Sequence, residues 1–237
     1  MCGRYALFAR KKALEKAFKI ALLEKESIPR YNIAPGEGVC AIIEDRDREN
    51  ERRMEYFQWG LIPSWAPSAE IGTKCFNAKV ETAAEKPAFK ESWRYRRCLL
   101  PANGWYEWKL SGGTRQPYYF HRADNELLAF AGLWAQKLFP DGTELWTCSI
   151  LTTAASENVR RIHHRMPLVL NQQDYAEWLN PFLQGISLRG IQPFREVVYH
   201  SVSPQVNRSG VENANFIEQW EPSISLTSHT QTFFPGM

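Results

Sequence analysis

The sequence contains no paired-cysteine motif and no zinc-protease signature. Its five cysteines among 237 residues are odd in number and include no Cys-x-x-Cys pair, which argues against a disulfide framework and against a zinc cluster. The His-Glu-x-x-His pattern is also absent, so we expect neither a metal nor another cofactor. Four of the five thiols lie in apolar or strand-like runs and are expected to be buried in the core, namely those of Cys40, Cys75, Cys98 and Cys148.

Long apolar runs are missing as well. No segment approaches the roughly 18 consecutive apolar residues of a transmembrane helix. The first residues, Met-Cys-Gly-Arg-Tyr-Ala-Leu-Phe-Ala-Arg, lack the continuous apolar stretch of a secretory signal. We therefore expect a cytoplasmic protein with no membrane partner.

No large excess of charge of either sign is present. The net charge is only +3, with 44% apolar and 23% charged residues, which is ordinary for a globular protein. Two local clusters combine arginines with aromatic or histidine side chains, a mixture that suits the phosphates and unstacked bases of a single nucleic-acid strand. Solvated surface charge explains either cluster equally well. The clusters are Arg94, Arg96 and Arg97 with Trp93 and Tyr95, and Arg160, Arg161 and Arg165 with His163 and His164.

Strand signals dominate after an early helix. That helix is predicted at residues 11–20, and a turn-rich loop follows at 29–36. Glycine-containing turns at 111–114 and 140–142 indicate two hairpins. The predicted strands are 39–43, 55–61, 97–100, 105–110, 118–122, 127–138 and 145–151, and the predicted short helices are 156–162 and 172–179.

Many strands with few long helices indicate an α+β fold. We expect a curved or barrel-like antiparallel sheet at its core, with short flanking helices. No repeat or linker divides the chain, so one domain is predicted over residues 1–222. Residues 223–237 are rich in Ser and Thr and are expected to form a tail that belongs to this domain or lies loosely on it.

Cys2 directly follows the initiator methionine. A small residue at the second position favours removal of Met1, which leaves an α-amine and a thiol on one residue. Their unperturbed pKa values lie near ~8 and ~8.5, so both groups are reactive near neutral pH after a modest shift. Such a 1,2-aminothiol captures an aldehyde as an imine and then closes a thiazolidine ring, with the advantage of an intramolecular reaction. A small residue that is merely tolerated near the start is the other interpretation.

Glu107 and Asn77 are candidates for polar roles beside a reactive group. Strand alternation puts Trp105 and Glu107 on one face of their strand. A carboxyl group among aromatic rings is desolvated, which raises its pKa and suits it to proton transfer. An exposed glutamate on an edge strand is the alternative. The amide of Asn77 could orient a substrate or stabilise an oxyanion, or it could simply form a turn.

His163 and His164 lie among three arginines, at positions 160, 161 and 165. Nearby positive charge favours the neutral form of histidine, which can then shuttle protons. Side chains of adjacent residues diverge, so only one of the two is expected to face a given site. A metal-binding pair is therefore not predicted.

Six short segments occur in a characteristic order along the chain. They are Cys-Gly-Arg-Tyr at 2–5, Tyr-Asn-Ile-Ala-Pro-Gly at 31–36, Trp-Gly-Leu-Ile-Pro at 59–63, Asn-Ala-Lys-Val-Glu-Thr at 77–82, Gly-Trp-Tyr-Glu-Trp at 104–108 and Ile-His-His-Arg-Met-Pro at 162–167. Together they resemble the SRAP family, the SOS-response-associated peptidases that also act as sensors of abasic sites. The match spans residues 2 to about 205, and six ordered motifs make it specific.

The resemblance implies a set of catalytic residues. Cys2 would release Met1 by autoproteolysis and would then crosslink to the ring-opened aldehyde of an abasic site, with a lyase-like character. Asn77 would position the reacting groups. Glu107 would assist proton transfer during imine formation and thiazolidine closure, and His163 would move protons during opening of the sugar ring.

The resemblance also implies a DNA partner. Arg4, Trp65, Lys79 and Arg165 would contact the backbone and flanking bases of single-stranded DNA that carries an abasic site. Lys79 stands where many members have arginine, which keeps the charge but loses bidentate phosphate geometry. Ala66 stands where some members have a second tryptophan. We expect a monomer that associates with the nucleoid when it is bound to damaged DNA.

Other functions would use the same residues. An N-terminal-nucleophile amidohydrolase acting on small amides also needs a freed Cys2, an oxyanion-stabilising Asn77 and an acid–base partner, but it has no need for arginine–aromatic clusters. A non-catalytic single-strand-binding module would tolerate Cys2→Ala. A conventional cysteine protease would need a separate Cys/His motif, and none is visible. We therefore favour crosslinking to DNA, with autoproteolysis as a maturation step.

Overall fold

The computed structural model describes residues 2–20, 27–44, 51–111, 113–180, 182, 194 and 196–221. Its strands are β1 Tyr5–Leu7, β2 Arg30–Ile33, β3 Gly38–Glu44, β4 Arg52–Trp59, β5 Asn77–Lys79, β6 Arg97–Ala102, β7 Gly104–Ser111, β8 Thr114–Arg122, β9 Leu128–Leu138, β10 Glu144–Ala154, β11 Arg165–Pro167 and β12 Val197–Ser201. Its α-helices are α1 Lys11–Phe18, α2 Val80–Ala83, α3 Lys90–Tyr95, α4 Glu157–Arg160 and α5 Tyr175–Leu179. Short 3-10 helices cover Ala69–Lys74, Gln172–Asp174, Pro204–Asn207 and Ala214–Ile217.

The larger sheet closes into a barrel. β10, β4, β3, β6 and β9 pair in that order, and β9 pairs again with β10. β5 and β11 lie outside this ring and pair with β10. Closure leaves the strands of the ring without an open edge that could recruit another chain. The predicted α+β fold with a barrel-like core is confirmed.

Two pairings of the barrel sheet are parallel. β10 runs parallel to β4, with Thr147 opposite Gln58, and parallel to β5, with Ile150 opposite Asn77. Parallel neighbours need a crossover connection, and the alternation of side chains along one strand does not identify its partner. The core sheet is therefore mixed where a purely antiparallel one was expected.

The second sheet is antiparallel, in the order β12-β8-β7-β1-β2. The chain leaves the barrel at the end of β6 and enters this sheet at Gly104. A Cβ at Gly104 would lie 2.3 Å from the Phe120 carbonyl oxygen, so only glycine fits this crossing. The predicted hairpin at residues 111–114 joins β7 to β8, with Ser111 opposite Thr114.

The first half of β7 is buried on both of its faces, whereas Lys109 and Leu110 are exposed. Trp105 belongs to the main core, and Tyr106 belongs to a second apolar cluster on the other side of the sheet. Glu107 therefore points to the same side as Trp105, toward the barrel, and is only 2% exposed. The predicted alternation is confirmed, and the alternative of an exposed edge-strand glutamate is wrong.

Several local predictions need revision. The first helix ends at Phe18 because Lys19 adopts a left-handed conformation with φ of 52°. Part of the predicted loop at 29–36 forms β2, and α3 was not predicted. Three of the four remaining cysteines are buried as expected, whereas Cys40 is only half-buried. Residues 223–237, the predicted tail, lie outside the described residues.

The described helices are short. The longest, α1, has eight residues. None of them has the length and apolar character needed to cross a membrane.

We predict that Gly132→Ala destabilises the barrel. Gly132 lies on β9 opposite β6, and an added Cβ would sit 2.2 Å from the Leu100 Cδ1 atom and 2.8 Å from the Cys98 sulfur atom. Overpacking of this kind lowers the free energy of unfolding by about 1–3 kcal/mol. Urea denaturation should detect this loss. The control is Gly38→Ala on β3, where no heavy atom lies within 4 Å of the added Cβ; equal stability of the two variants would contradict the prediction.

Candidate active site

Cys2 lies three residues before the start of β1 at Tyr5 and is fully buried. β1 pairs with β7, and the Tyr106 N–H donates to the Arg4 carbonyl oxygen at 3.0 Å. This register carries the chain ahead of β1 alongside Glu107. Burial raises the pKa of the Cys2 thiol, and the negative charge of Glu107 raises it further. The charge of Glu107 thus acts on the Cys2 thiol.

Asn77 holds the main chain of Cys2. It is the first residue of β5, which β10 fixes by parallel pairing. The Asn77 Nδ2 atom donates to the Cys2 carbonyl oxygen at 2.6 Å. The Asn77 Oδ1 atom is buried and accepts no hydrogen bond from the described residues. A buried acceptor in this condition is suited to a group that arrives with a substrate.

Glu107 lies on β7 of the second sheet, and its carboxyl group is buried on the side that faces the barrel. Burial raises its pKa to about 7, because removal from water penalises the charged form. At neutral pH the group is therefore present in both its protonated and its ionised form. That balance is what a group needs in order to donate and accept protons in one reaction cycle.

His163 lies close to the carboxyl group of Glu107. The His163 Nδ1 atom lies 3.8 Å from the Glu107 Oε2 atom. Burial is the main cause that lowers the pKa of His163, and the charge of Arg165 contributes less. A lowered pKa favours the neutral form predicted for His163, although burial lowers this pKa more than the neighbouring arginine charge does. His164 is exposed, so one histidine of the pair faces the carboxyl group.

The four predicted DNA contacts differ in how accessible they are. Trp65 is 56% exposed, and Lys79 at the end of β5 is exposed. Arg4 is half-buried and donates to the Asn32 Oδ1 atom at 2.6 Å. Arg165 forms a bidentate ion pair with Glu81 at 2.6 and 2.9 Å. The two arginines therefore have internal partners, whereas the tryptophan and the lysine project outward.

One of the two basic clusters is largely structural. Arg97 is 4% exposed and donates to the carbonyl oxygens of Trp178 and Trp93 at 2.6 and 2.7 Å. Arg96 is paired with Glu91 at 2.6 Å. These contacts connect α3 and α5 to the barrel. The proximity of Arg97 and Trp93 in sequence therefore reflects packing.

Sequence reasoning missed two residues that organise this region. Asn32 is 1% exposed, accepts from Arg4, and donates to the carbonyl oxygens of Arg208 and Val211 at 2.8 Å each. Glu81 pairs with Arg165 across 84 positions of sequence. Both lie in two of the six ordered segments, at 31–36 and 77–82, but no local sequence pattern predicts a contact with a residue so distant in the chain. Among the described residues, no group of three or more His, Cys, Asp or Glu side chains is arranged to hold a metal ion.

We predict that Glu107→Gln stabilises the protein at alkaline pH. The pKa of Glu107 is about 7 in the folded chain, against about 4.3 for an unperturbed glutamate. The folded state therefore binds more protons than the unfolded state between these values, so the free energy of unfolding falls as pH rises through this window. The penalty is nearly complete at pH ~8 and reaches up to ~4 kcal/mol.

Thermal or urea unfolding at several pH values would measure this effect. The glutamine variant should lose the decline in stability across the window and should exceed the wild type at pH ~8. Glu85→Gln, which changes an exposed carboxyl group, is the control. A glutamine variant whose stability follows the same pH curve as the wild type would refute the assignment.

Comparison with known proteins places the chain in a family. The family described as SOS response associated peptidase (SRAP) matches residues 1–209. The abasic site processing protein YoqW of Bacillus subtilis (strain 168) is 37% identical over 229 residues, which cover 92% of this chain and 99% of the relative. The abasic site processing protein YedK of Escherichia coli (strain K12) is 31% identical over 233 residues, which cover 92% and 99%.

Vertebrate and structural relatives agree with this match. The abasic site processing protein HMCES of Gallus gallus is 32% identical over 213 residues, which cover 76% of this chain and 62% of the relative. A crystal structure of a protein from Bacteroides thetaiotaomicron has a TM-score of 0.78 at 26% identity and covers 93% of this chain and 100% of that one. None of these relatives is named as an amidohydrolase. The chain belongs to the SRAP family.

Proposed function

We propose that this protein processes abasic sites in single-stranded DNA by forming a covalent crosslink through Cys2. The observation that carries the proposal is the burial of the Cys2 thiol beside Glu107, with Asn77 bonded to the Cys2 carbonyl oxygen. Support comes from relatives named abasic site processing proteins, which align with nearly the whole chain. The aminothiol chemistry of a freed Cys2 fits an aldehyde, the form in which an abasic sugar is reactive.

Maturation comes first in this proposal. The Cys2 thiol adds to the carbonyl carbon of Met1, the Met1–Cys2 amide bond breaks, and the nitrogen takes a proton to become the free α-amine. Water then hydrolyses the resulting thioester and releases methionine. The thiol needs a base because burial raises its pKa, and Glu107 is the carboxylate whose charge the thiol senses. We assign the autopeptidase step to these two residues.

Crosslinking follows at the same atoms. The α-amine adds to the aldehyde carbon of the abasic sugar to give a carbinolamine, and Glu107 protonates the hydroxyl group that leaves as water. The Cys2 thiol then adds to the carbon of the imine, and its proton ends on the nitrogen. One water molecule is lost in total, and no oxidant or reductant is required. A carboxyl group with a pKa of about 7 can supply and recover these protons near neutral pH.

His163 serves the step that exposes the aldehyde. The closed sugar opens when its ring oxygen gains a proton and its anomeric hydroxyl loses one. A neutral imidazole 3.8 Å from Glu107 is suited to exchange protons during that opening. Asn77, through its unbonded Oδ1 atom, would orient the incoming sugar.

The surface around the site suits a single strand. Trp65 offers an exposed ring for base stacking, and Lys79 offers an exposed charge for phosphate. Arg4 and Arg165 would add contacts to the DNA where their hydrogen bonds within the protein allow. A lesion in a single strand is already unstacked, so no flipping energy is spent. We further propose that the protein acts as a monomer in the cytoplasm, on damaged DNA during the SOS response.

We predict that a heat-stable crosslink requires Cys2. Protein lacking Met1 is mixed with a single-stranded oligonucleotide that carries one abasic site and is resolved by denaturing electrophoresis. Cys2→Ala keeps the α-amine but loses the thiol, so only a reversible imine can form and the shifted band should disappear. Cys98→Ala, which also removes a fully buried thiol, should keep the band. No band from the wild-type protein would refute the proposed function.

We also predict that Trp65 contributes to binding by stacking. Trp65→Ala should weaken binding of an undamaged single strand by about 1–3 kcal/mol, the usual contribution of one stacked base. Fluorescence anisotropy with a labelled oligonucleotide measures this loss. Tyr56→Ala is the matched control, because Tyr56 is 57% exposed and Trp65 is 56% exposed. Equal affinities of the two variants would exclude a stacking role.

A further inference from the structure

The main chain of Arg165 offers two partners to one nitrogen of His163. The His163 Nδ1 atom lies 3.0 Å from the Arg165 amide nitrogen and 2.9 Å from the Arg165 carbonyl oxygen. An unprotonated Nδ1 atom accepts from the amide, and a protonated one donates to the carbonyl. The imidazole can therefore gain or lose the Nδ1 proton without losing its hydrogen bond. This arrangement suits a proton shuttle, provided that Arg165 stays in place.

The side chain of Arg165 is fixed by a second set of contacts. One guanidinium nitrogen donates to the Glu81 Oε1 atom at 2.6 Å, and the other donates to Glu81 Oε2 at 2.9 Å. The second nitrogen also donates to the Thr152 carbonyl oxygen at 2.5 Å. Bidentate arginine–carboxylate pairs add geometric specificity to charge. The hydrogen bonds from Arg165 also hold the pKa of Glu81 below its ordinary value, so the carboxylate stays ionised.

We propose that Glu81 is a positioning residue for the proton transfers of His163. It fixes the guanidinium of Arg165, and Arg165 in turn presents its amide and carbonyl groups to the His163 ring. β11 is also held by its pairing with β10, in which Ala154 lies opposite Arg165, and Glu81 adds a bidentate contact from α2. This inference rests on the proposed function, because it assigns Glu81 a part in the same reaction.

The chain offers a matched control for this pair. Glu91 also bonds an arginine, Arg96, at 2.6 Å, and its side chain is 49% exposed against 48% for Glu81. Glu91 lies on α3. Glu81→Gln and Glu91→Gln therefore remove the same charge from two equally exposed carboxylates, each 2.6 Å from its arginine, but only the first ion pair includes Arg165, the residue that bonds His163.

The experiment measures the rate of crosslinking to a single-stranded oligonucleotide with one abasic site, at saturating DNA and with protein lacking Met1. We expect Glu81→Gln to slow the limiting rate about tenfold, since small misplacements of a reacting group are costly. The half-saturating DNA concentration should not rise. Glu91→Gln should react like the wild type. In a His163→Ala background, Glu81→Gln should cause no further loss, because the two residues act as one unit.

A nuclear magnetic resonance titration of His163 provides a readout that does not depend on crosslinking. The charged and titratable groups that influence the His163 ring include the amino terminus, Glu107, His164 and Arg165. Release of Arg165 would change both the burial of the ring and the hydrogen bonds at its Nδ1 atom, so the pKa of His163 should shift in Glu81→Gln and stay unchanged in Glu91→Gln.

Four results would overturn the inference: an unchanged limiting rate, an equal loss in both glutamine variants, a full additional loss in the His163→Ala background, or an unchanged His163 pKa. If the wild-type protein forms no crosslink, the proposed function fails. The titration then decides by itself whether Glu81 positions His163.

Discussion

The pairing of β1 with β7 is the constraint on which the site depends. β1 is three residues long, yet it lies between β2 and β7 in the second sheet. Arg4 anchors it through the Asn32 Oδ1 atom and the Val206 carbonyl oxygen, at 2.6 and 2.8 Å. These bonds keep the amino-terminal segment in register and hold Cys2 against the barrel. Loss of that register would remove the thiol from Glu107 and Asn77 together.

The site places ionisable groups inside a well-packed core, and the burial of these groups lowers the stability of the fold. The pKa of Glu107 is about 7 because its buried carboxylate lacks the hydration that would stabilise its charge in water. The barrel tolerates Glu107 because closure of the sheet and the surrounding aromatic rings supply the apolar burial that a fold of this size needs. Trp105 stacks on Phe120 with centroids 5.0 Å apart, and Tyr5 meets Trp59 edge to face at 5.4 Å. In the proposed reaction, stability at alkaline pH is exchanged for proton transfer near neutrality.

The sequence was informative wherever a local rule decides the outcome. Alternation along β7 predicted that Glu107 shares a face with Trp105. Glycine-containing turns predicted the hairpin that joins β7 to β8 and the hairpin that joins β9 to β10. Local rules did not predict the parallel pairing of β5 with β10, which fixes Asn77 near Cys2. They also did not predict that Arg165 faces Glu81, or that Arg97 is buried among carbonyl oxygens. Each of these depends on partners that are far apart in sequence, and the choice among them is made by tertiary packing.

The most direct measurement is the intact mass of the purified protein–DNA adduct before and after treatment with borohydride. The account predicts a mass equal to the sum of protein lacking Met1 and abasic oligonucleotide minus one water molecule, unchanged by borohydride because both the amine and the thiol of Cys2 have bonded to the sugar carbon. An adduct that gains two hydrogen atoms on treatment would be an imine that uses the amine alone. That result would contradict the central role given to the Cys2 thiol.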